Sequence, residues 1–332
     1  MTEPPAAAPS PARTSRTLST GRARRRYWTI VTVLSILAVG FAFGLLAWNN
    51  PMPVGSDGFW RIAEMRSTNL VVMIVVAICQ AVATVSFQTV TNNRIITPSI
   101  MGFEALYIAI QTTAVYFLGV AGIIALMVGL SMLLYGWLLS GRYGNLQVML
   151  LIGIVIGGGL ASVSTFMQRL LTPSEFDVLA ARLFGNIANA DASYLPIAVP
   201  LCLGATAVLL WSSRRLNIVA LGRDASVGLG LNHRRETMRV LFLVSILMAV
   251  STALIGPMTF LGFLVATLAY QFADTHDHRY VFPVAVLTCF VVLSGAYFVM
   301  RNIFYANGVV SIIIELVGGL VFLFVILRKG RL

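Results

Sequence analysis

Charge is scarce in this chain. Only 11% of its 332 residues are Asp, Glu, Lys or Arg, while 58% are hydrophobic; a soluble domain carries about 25% charged residues. Acidic residues are scarcest, 12 against 23 basic ones, for a formal charge of +11. This composition excludes an ordinary soluble enzyme and a disordered chain. It also argues against a nucleic-acid binder, because basic residues in so apolar a chain set membrane topology rather than read phosphates. Cysteine and histidine are rare too. Cys79, Cys202 and Cys289 lie inside apolar runs, with neither metal spacing nor a disulfide framework, and read as small core hydrophobes. His276 and His278 share a polar loop with Asp274 and Asp277. No ligand geometry is suggested, so the loop reads as solvated and no metal site is expected. No G-x-x-x-x-G-K-[ST] occurs and no soluble domain is attached, so any use of ATP requires another chain.

What the chain has is long apolar runs. A bilayer core needs roughly 20 apolar residues per helix, and ten runs qualify: about 27–48, 68–90, 97–118, 119–140, 145–170, 192–212, 238–256, 258–273, 280–300 and 308–327. The third carries Pro98, Glu104 and Gln111; the eighth is short and follows Gly256-Pro257. The expected fold is therefore an all-α polytopic membrane protein of about ten transmembrane helices, filling residues 27–332. Residues 1–26 are too polar to fold alone and read as a disordered basic tail. Arg22, Arg24, Arg25 and Arg26 abut the first run, which is long and lacks a clear small-x-small cleavage site, and this favours a retained span over a cleaved signal. With both termini cytoplasmic, only Arg61, Arg66, Arg169, Arg182 and Arg301 of the 23 basic residues lie on or near the outer side. That asymmetry is the positive-inside bias. The outer loops near 49–67 and 171–191 read as short.

Three places carry candidate chemistry. Asn92 to Gly102 follows a span holding Gln80 and Gln88. Its Asn93, Pro98 and Gly102 fit either a tight inner turn capped by Asn93 or a broken helix start beside a conduit. Glu104 and, deeper, Glu315 are ionisable groups within apolar runs, where function is one reading and a structural bond, or for Glu104 a pair with Arg94, the other. The inner loop 213–237 has apolar residues at 218, 221, 225 and 229, a helical spacing punctuated by Gly222 and by Gly228 or Gly230. It reads as two very short helices, with Asp224 near the start of the second. Such a knob, flanked by Arg214, Arg215, Arg234 and Arg235, rests on anionic lipid or fits a groove on a partner protein.

These residues resemble a family, the permease subunits of ABC importers for iron-siderophores, haem and vitamin B12, from roughly residue 28 to 330. Gln88, Asn93, Pro98 and Gly102 match its Q-x4-N-P-L-A-x-P-x-x-x-G. Leu216 to Gly230 match L-N-x-L-x-L-G-x-x-A-x-x-L-G, with Gly228 where Ser is usual. Gly256 to Phe263 match G-P-I-x-F-V-G-L, and Asp277-His278-Arg279 match its D-H-R. The stretch Thr97 to Tyr107 looks like the branch that handles catecholate siderophores of the petrobactin type.

The resemblance implies a type II importer fold like that of the vitamin B12 importer. Two permeases would surround one path, with two cytoplasmic ATPases and an extracytoplasmic binding lipoprotein. It implies no cofactor on this chain, ATP-Mg on the ATPase, and iron carried as a siderophore chelate. Leu221, Gly222, Arg223, Asp224, Ala225, Leu229 and Gly230 would form the coupling element. Arg61, Arg66, Asn69 and Arg301 would receive acidic residues of the binding protein. Gln80, Gln88, Asn93, Pro98, Glu104 and Gln111 would belong to the path, and Asn145, Leu146 and Gln147 to an inner gate. Ala266-Thr267 replace the usual P-H, Asn307 to Val310 replace E-x-P-V-G, and Phe184-Gly185-Asn186 lacks a usual tryptophan. Those losses suggest one half of a permease heterodimer. The competing readings are a proton-coupled secondary transporter using Glu104 and Glu315, or the same importer class carrying haem or a cobalamin. An intramembrane enzyme lacks its ingredients, since no histidine falls in the spans.

Overall fold

The computed structural model describes residues 21–48, 52–53, 55–114, 120–140, 146–183, 187, 192–303 and 310–329. Among them all regular structure is helical. The long helices are α1 (Gly21–Ala47), α2 (Asp57–Val90), α3 (Glu104–Ala114), α4 (Val120–Ser140) and α5 (Leu146–Gln168). After α6 (Pro173–Leu183) come α7 (Leu195–Trp211) and two short helices, α8 (Ser213–Val219) and α9 (Arg223–Gly228). The chain closes with α10 (His233–Ile255), α11 (Leu261–Ala273), α12 (His278–Asn302) and α13 (Val310–Lys329). Each of the ten apolar runs coincides with one helix, and the inner loop holds the expected pair of short ones.

Burial divides the bundle. The apolar windows of α2 and α10 are each 78% buried, against 17% for α1 and 11% for α5. Val72, Val76 and Val85 of α2 are sealed, as are Leu241, Val244 and Leu247 of α10. An apolar helix with so little burial needs lipid or another chain against it; on α5, Val155 and Phe166 are 65% and 63% exposed.

α1 begins at Gly21, so Arg22, Arg24, Arg25 and Arg26, read above as part of a disordered tail, lie in the helix; two further helices differ from the sequence reading. The segment 171–191 is not simply a short loop: Thr172 and Glu175 start α6, with Glu175 Oε2 accepting the Thr172 backbone N–H at 2.8 Å and Pro173 opening the first turn. The second span begins earlier than residue 68. Ser56 caps α2 by accepting from the Phe59 N–H at 3.2 Å, so the helix runs for 34 residues and carries Arg61 and Arg66. A third feature matches its alternative reading. The Ser99–Phe103 turn ahead of α3 is broken, with Gly102 at φ +95°. Gly102 lies backbone to backbone against Gly157 of α5, where a side chain on either glycine meets the other chain at 3.1–3.3 Å.

Candidate coupling and translocation site

α7 and α8 meet at a bend of 63°, so α8 turns away from the line of its span. Leu216 and Val219 face the bundle and are buried. Gly222, at φ +94°, ends α8 and opens α9. Ser226 pins the two together, its hydroxyl against the carbonyl oxygens of Ile218 at 3.1 Å and Gly222 at 2.6 Å. Gly230, at φ +80°, closes α9 while the Leu231 N–H returns to the Ser226 carbonyl at 2.9 Å. The outcome is a rigid knob with an apolar crown. Leu221, Val227 and Leu229 are 63%, 57% and 61% exposed, and Arg223, Asp224 and Ala225 are exposed beside them.

Beneath the knob lies an open cavity of about 850 Å³, lined by the 92–95 corner, Asn217, Ala220, Leu221, Tyr270 and residues 276–279. Asn217 on α8 reaches the start of α12. Its Nδ2 donates to Asp277 Oδ1 at 3.0 Å and its Oδ1 accepts the His278 backbone N–H at 3.1 Å. The imidazole of His278 contacts Asn217 Oδ1 through Nδ1 and Thr89 Oγ1 of α2, at 2.6 Å, through Nε2. His278 is 3% exposed, so the reading of this loop as merely solvated is corrected: the loop's last histidine is part of the packed bundle. Asp277 caps α12 and pairs with Arg279 at 2.8 Å. Partial burial pushes its carboxyl upward, but the Arg279 guanidinium and the Asn217 amide outweigh that and hold it below the ordinary aspartate range.

The candidate path residues separate into groups. Gln88 donates to the Arg94 carbonyl at 2.7 Å and Asn93 Oδ1 accepts the Ile95 N–H at 2.9 Å, which fixes the corner leading to Pro98 and the broken turn. Gln80 is buried between α2 and α10, donating to Ser251 at 3.0 Å; Gln111 is buried and donates to Tyr107 at 3.1 Å. Glu104 does not pair with Arg94. It accepts the Met258 N–H at 3.0 Å and the Thr259 hydroxyl, whereas Arg94 meets His276 Nδ1 at 2.8 Å and stacks 4.5 Å from the Tyr270 ring. Asn145 lies outside the described residues, as do the side chains of Leu146 and Gln147, and residues 184–186 and 307–309.

At the opposite end, Arg66 is engaged within this chain. It is 9% exposed, and its Nη1 donates to the carbonyls of Leu46 and Trp48 at 3.2 and 2.9 Å. A guanidinium on the last carbonyls of α1 satisfies groups that the helix cannot. Arg61 is exposed, Asn69 and Arg301 are half-buried. The sequence reasoning missed Asn217, Thr89 and Tyr270; the asparagine after Leu216 and the Asp-His-Arg motif were visible but unconnected. Among the described residues no cluster of three metal-ligating side chains occurs.

This architecture is that of the membrane subunit of a type II importer. A solved structure described as an inward-facing metal-chelate type ABC transporter superposes with a TM-score of 0.79 at 21% identity, covering 91% of this chain and 99% of the other. The chain belongs to the FecCD transport family, whose model matches residues 27–328. It is 49% identical over 333 residues to the petrobactin import system permease protein FatC of Bacillus anthracis, spanning 96% of this chain and 94% of that one. The petrobactin import system permease protein YclO of Bacillus subtilis is 36% identical, over 76% of this chain and 84% of its own length.

Proposed function

We propose that this chain is a membrane permease subunit of an ATP-driven importer that carries a ferric siderophore, of the petrobactin type, into the cell. The 49% identity to FatC along nearly the whole chain carries the substrate class. The knob carries the mechanism. Leu221, Val227 and Leu229 form an apolar crown on a charged end of the bundle, and such a crown fits a groove on a cytoplasmic ATPase. Two ATPase copies hold ATP-Mg and supply the work; this permease performs no covalent chemistry. Closure of the ATPases shifts the equilibrium between outward- and inward-open states through the knob.

The knob end is cytoplasmic in this reading, as are both chain termini, in line with the distribution of arginine. The exposed faces of α5 and α13 meet lipid and a second permease. The altered motifs at Ala266-Thr267 and 307–310 favour a different permease as that partner. Arg61 and Arg301 receive an extracytoplasmic binding lipoprotein; weak exposed pairs of this kind set register and approach rate more than affinity. The path runs past the corner at Gln88 and Asn93 and the break at Pro98, with the gate at 145–147. The test is uptake of radiolabelled ferric siderophore into proteoliposomes holding this chain, its neighbouring permease and the ATPase. Uptake requiring both ATP inside and loaded binding protein outside supports the reading. Uptake driven by a proton gradient without ATP contradicts it.

A further inference from the structure

The knob has to move something, and the structure shows what it is bonded to. Asn217 of α8 reaches the bundle with both polar atoms of its side chain engaged. Its orientation is fixed, because the His278 backbone N–H can only donate, so Oδ1 faces it. An oxygen cannot donate, so His278 Nδ1 must carry the proton that it directs at the same Oδ1. In the neutral imidazole Nε2 is then an acceptor 2.6 Å from Thr89 Oγ1, and the one hydroxyl proton of Thr89 is shared between that nitrogen and the Val85 carbonyl, at 2.8 Å, of its own helix. Thr89 lines the same cavity as Tyr270, and the ring of Tyr270 lies under the Arg94 guanidinium at 4.5 Å. Arg94 sits in the corner that Gln88 holds, immediately before the broken turn of α3.

We infer that Asn217, His278 and Thr89 form the joint through which the coupling helix drags α2, α12 and the corner at residue 94, and that they are positioning residues for transport. The inference rests on the importer reading. Apolar contacts between α8 and the bundle could slide; a bridge of directional bonds among three helices transmits displacement because each bond has one geometry. Neither the knob's own folding nor its exposed crown uses these atoms.

The experiment uses the complete transporter with its binding protein in proteoliposomes, and reads ferric siderophore imported per ATP hydrolysed. Thr89→Val keeps the volume and removes the hydroxyl; Thr89→Ser removes a methyl and keeps it. The joint predicts a drop of tenfold or more in imported chelate per ATP for Thr89→Val and less than threefold for Thr89→Ser, with the ATPase still co-purifying. A packing role predicts the reverse order, and that order, or equal behaviour of both variants, overturns the inference. Asn217→Asp sets a carboxylate against Asp277 and should uncouple as strongly as Thr89→Val, with the double variant no worse than either. Losses that multiply in the double variant contradict a single joint. If Asn217→Asp does not assemble, the two Thr89 variants decide alone. A wild-type complex that imports chelate without consuming ATP overturns the importer reading and the joint together, whereas a coupled wild type with indifferent variants overturns only the joint.

Discussion

Glu104 accepts the backbone N–H of Met258 at 3.0 Å, across 154 residues of sequence. The contact explains how a carboxylate lives in an apolar run. Between α10 and α11 the chain breaks at Gly256, at φ +81°, and Pro257, so the first groups beyond the break lack helical partners. Glu104 takes the Met258 N–H and the Thr259 hydroxyl. One carboxylate thus holds the broken connection in place, a structural use of intramembrane charge.

Replacing Glu104 should therefore show first in stability. Glu104→Ala leaves buried donors without acceptors and should cost about 1–3 kcal/mol, read as a lower melting temperature of the purified subunit. Glu104→Gln keeps an acceptor and should melt between the two. ATP-driven uptake should survive Glu104→Gln; its complete loss with normal melting would favour the proton-carrier reading.

The glycine contact between the broken turn and α5 makes a sharp comparison. A Cβ on Gly157 would stand 3.1 Å from the Gly102 Cα, backbone that has nowhere to retreat, whereas nothing lies within 4 Å of a Cβ on Gly158 or Gly159. Gly157→Ala should destabilise by about 1–3 kcal/mol, and Gly158→Ala should not. Equal melting of the two variants would mean that the close approach is absent.

Much of this was legible in the sequence. The apolar helices follow from the apolar runs, and the two short helices of the knob from the spacing of Gly222 and Gly230 around apolar positions; among the described residues five helices, or six with the bent α7–α8 pair, are long and apolar enough to cross a membrane. The break before α3 was one of two readings of Pro98 and Gly102. α6 was written in Thr172-Pro173-Ser174-Glu175, a helix start that the polar surroundings disguised as loop. Arg66 could not be read, because its role depends on where α1 ends in space, not on its own neighbours. The same holds for His278 and Asn217, which are 61 residues apart and meet only when three helices pack. Local patterns fix elements; contacts between elements need the fold.

At the end opposite the knob the arginines should separate by role. Arg66→Ala frees the carbonyls of Leu46 and Trp48 and should lower the melting temperature while leaving the salt dependence of binding-protein stimulation unchanged. Arg301→Glu should leave melting unchanged and weaken stimulation most at low ionic strength, where exposed charges are least screened. Titration of ATPase stimulation with binding protein at two salt concentrations checks both.

The Asp277 carboxylate gives a pH dependence with a definite sign. Its folded-state pKa is depressed, chiefly by Arg279 and Asn217 acting against its burial. Its contribution to stability is therefore complete above the ordinary aspartate value of about 3.9, and is lost as pH falls through the lower folded value. Asp277→Asn should melt below wild type at pH 6, and the gap should narrow as pH approaches 3. A gap that stays constant with pH would show that the carboxylate's charge is not what stabilises α12.

The central claim is that the crown of the knob couples this permease to an ATPase. The most direct measurement is the ATP hydrolysis rate of the reconstituted complex, with wild type beside Leu221→Arg, a residue 63% exposed that no internal packing requires. The account predicts that binding protein loaded with ferric siderophore stimulates wild-type hydrolysis, and that Leu221→Arg loses the stimulation while the permease folds and melts normally. Full stimulation in Leu221→Arg, or hydrolysis indifferent to loaded binding protein in the wild type, would contradict it.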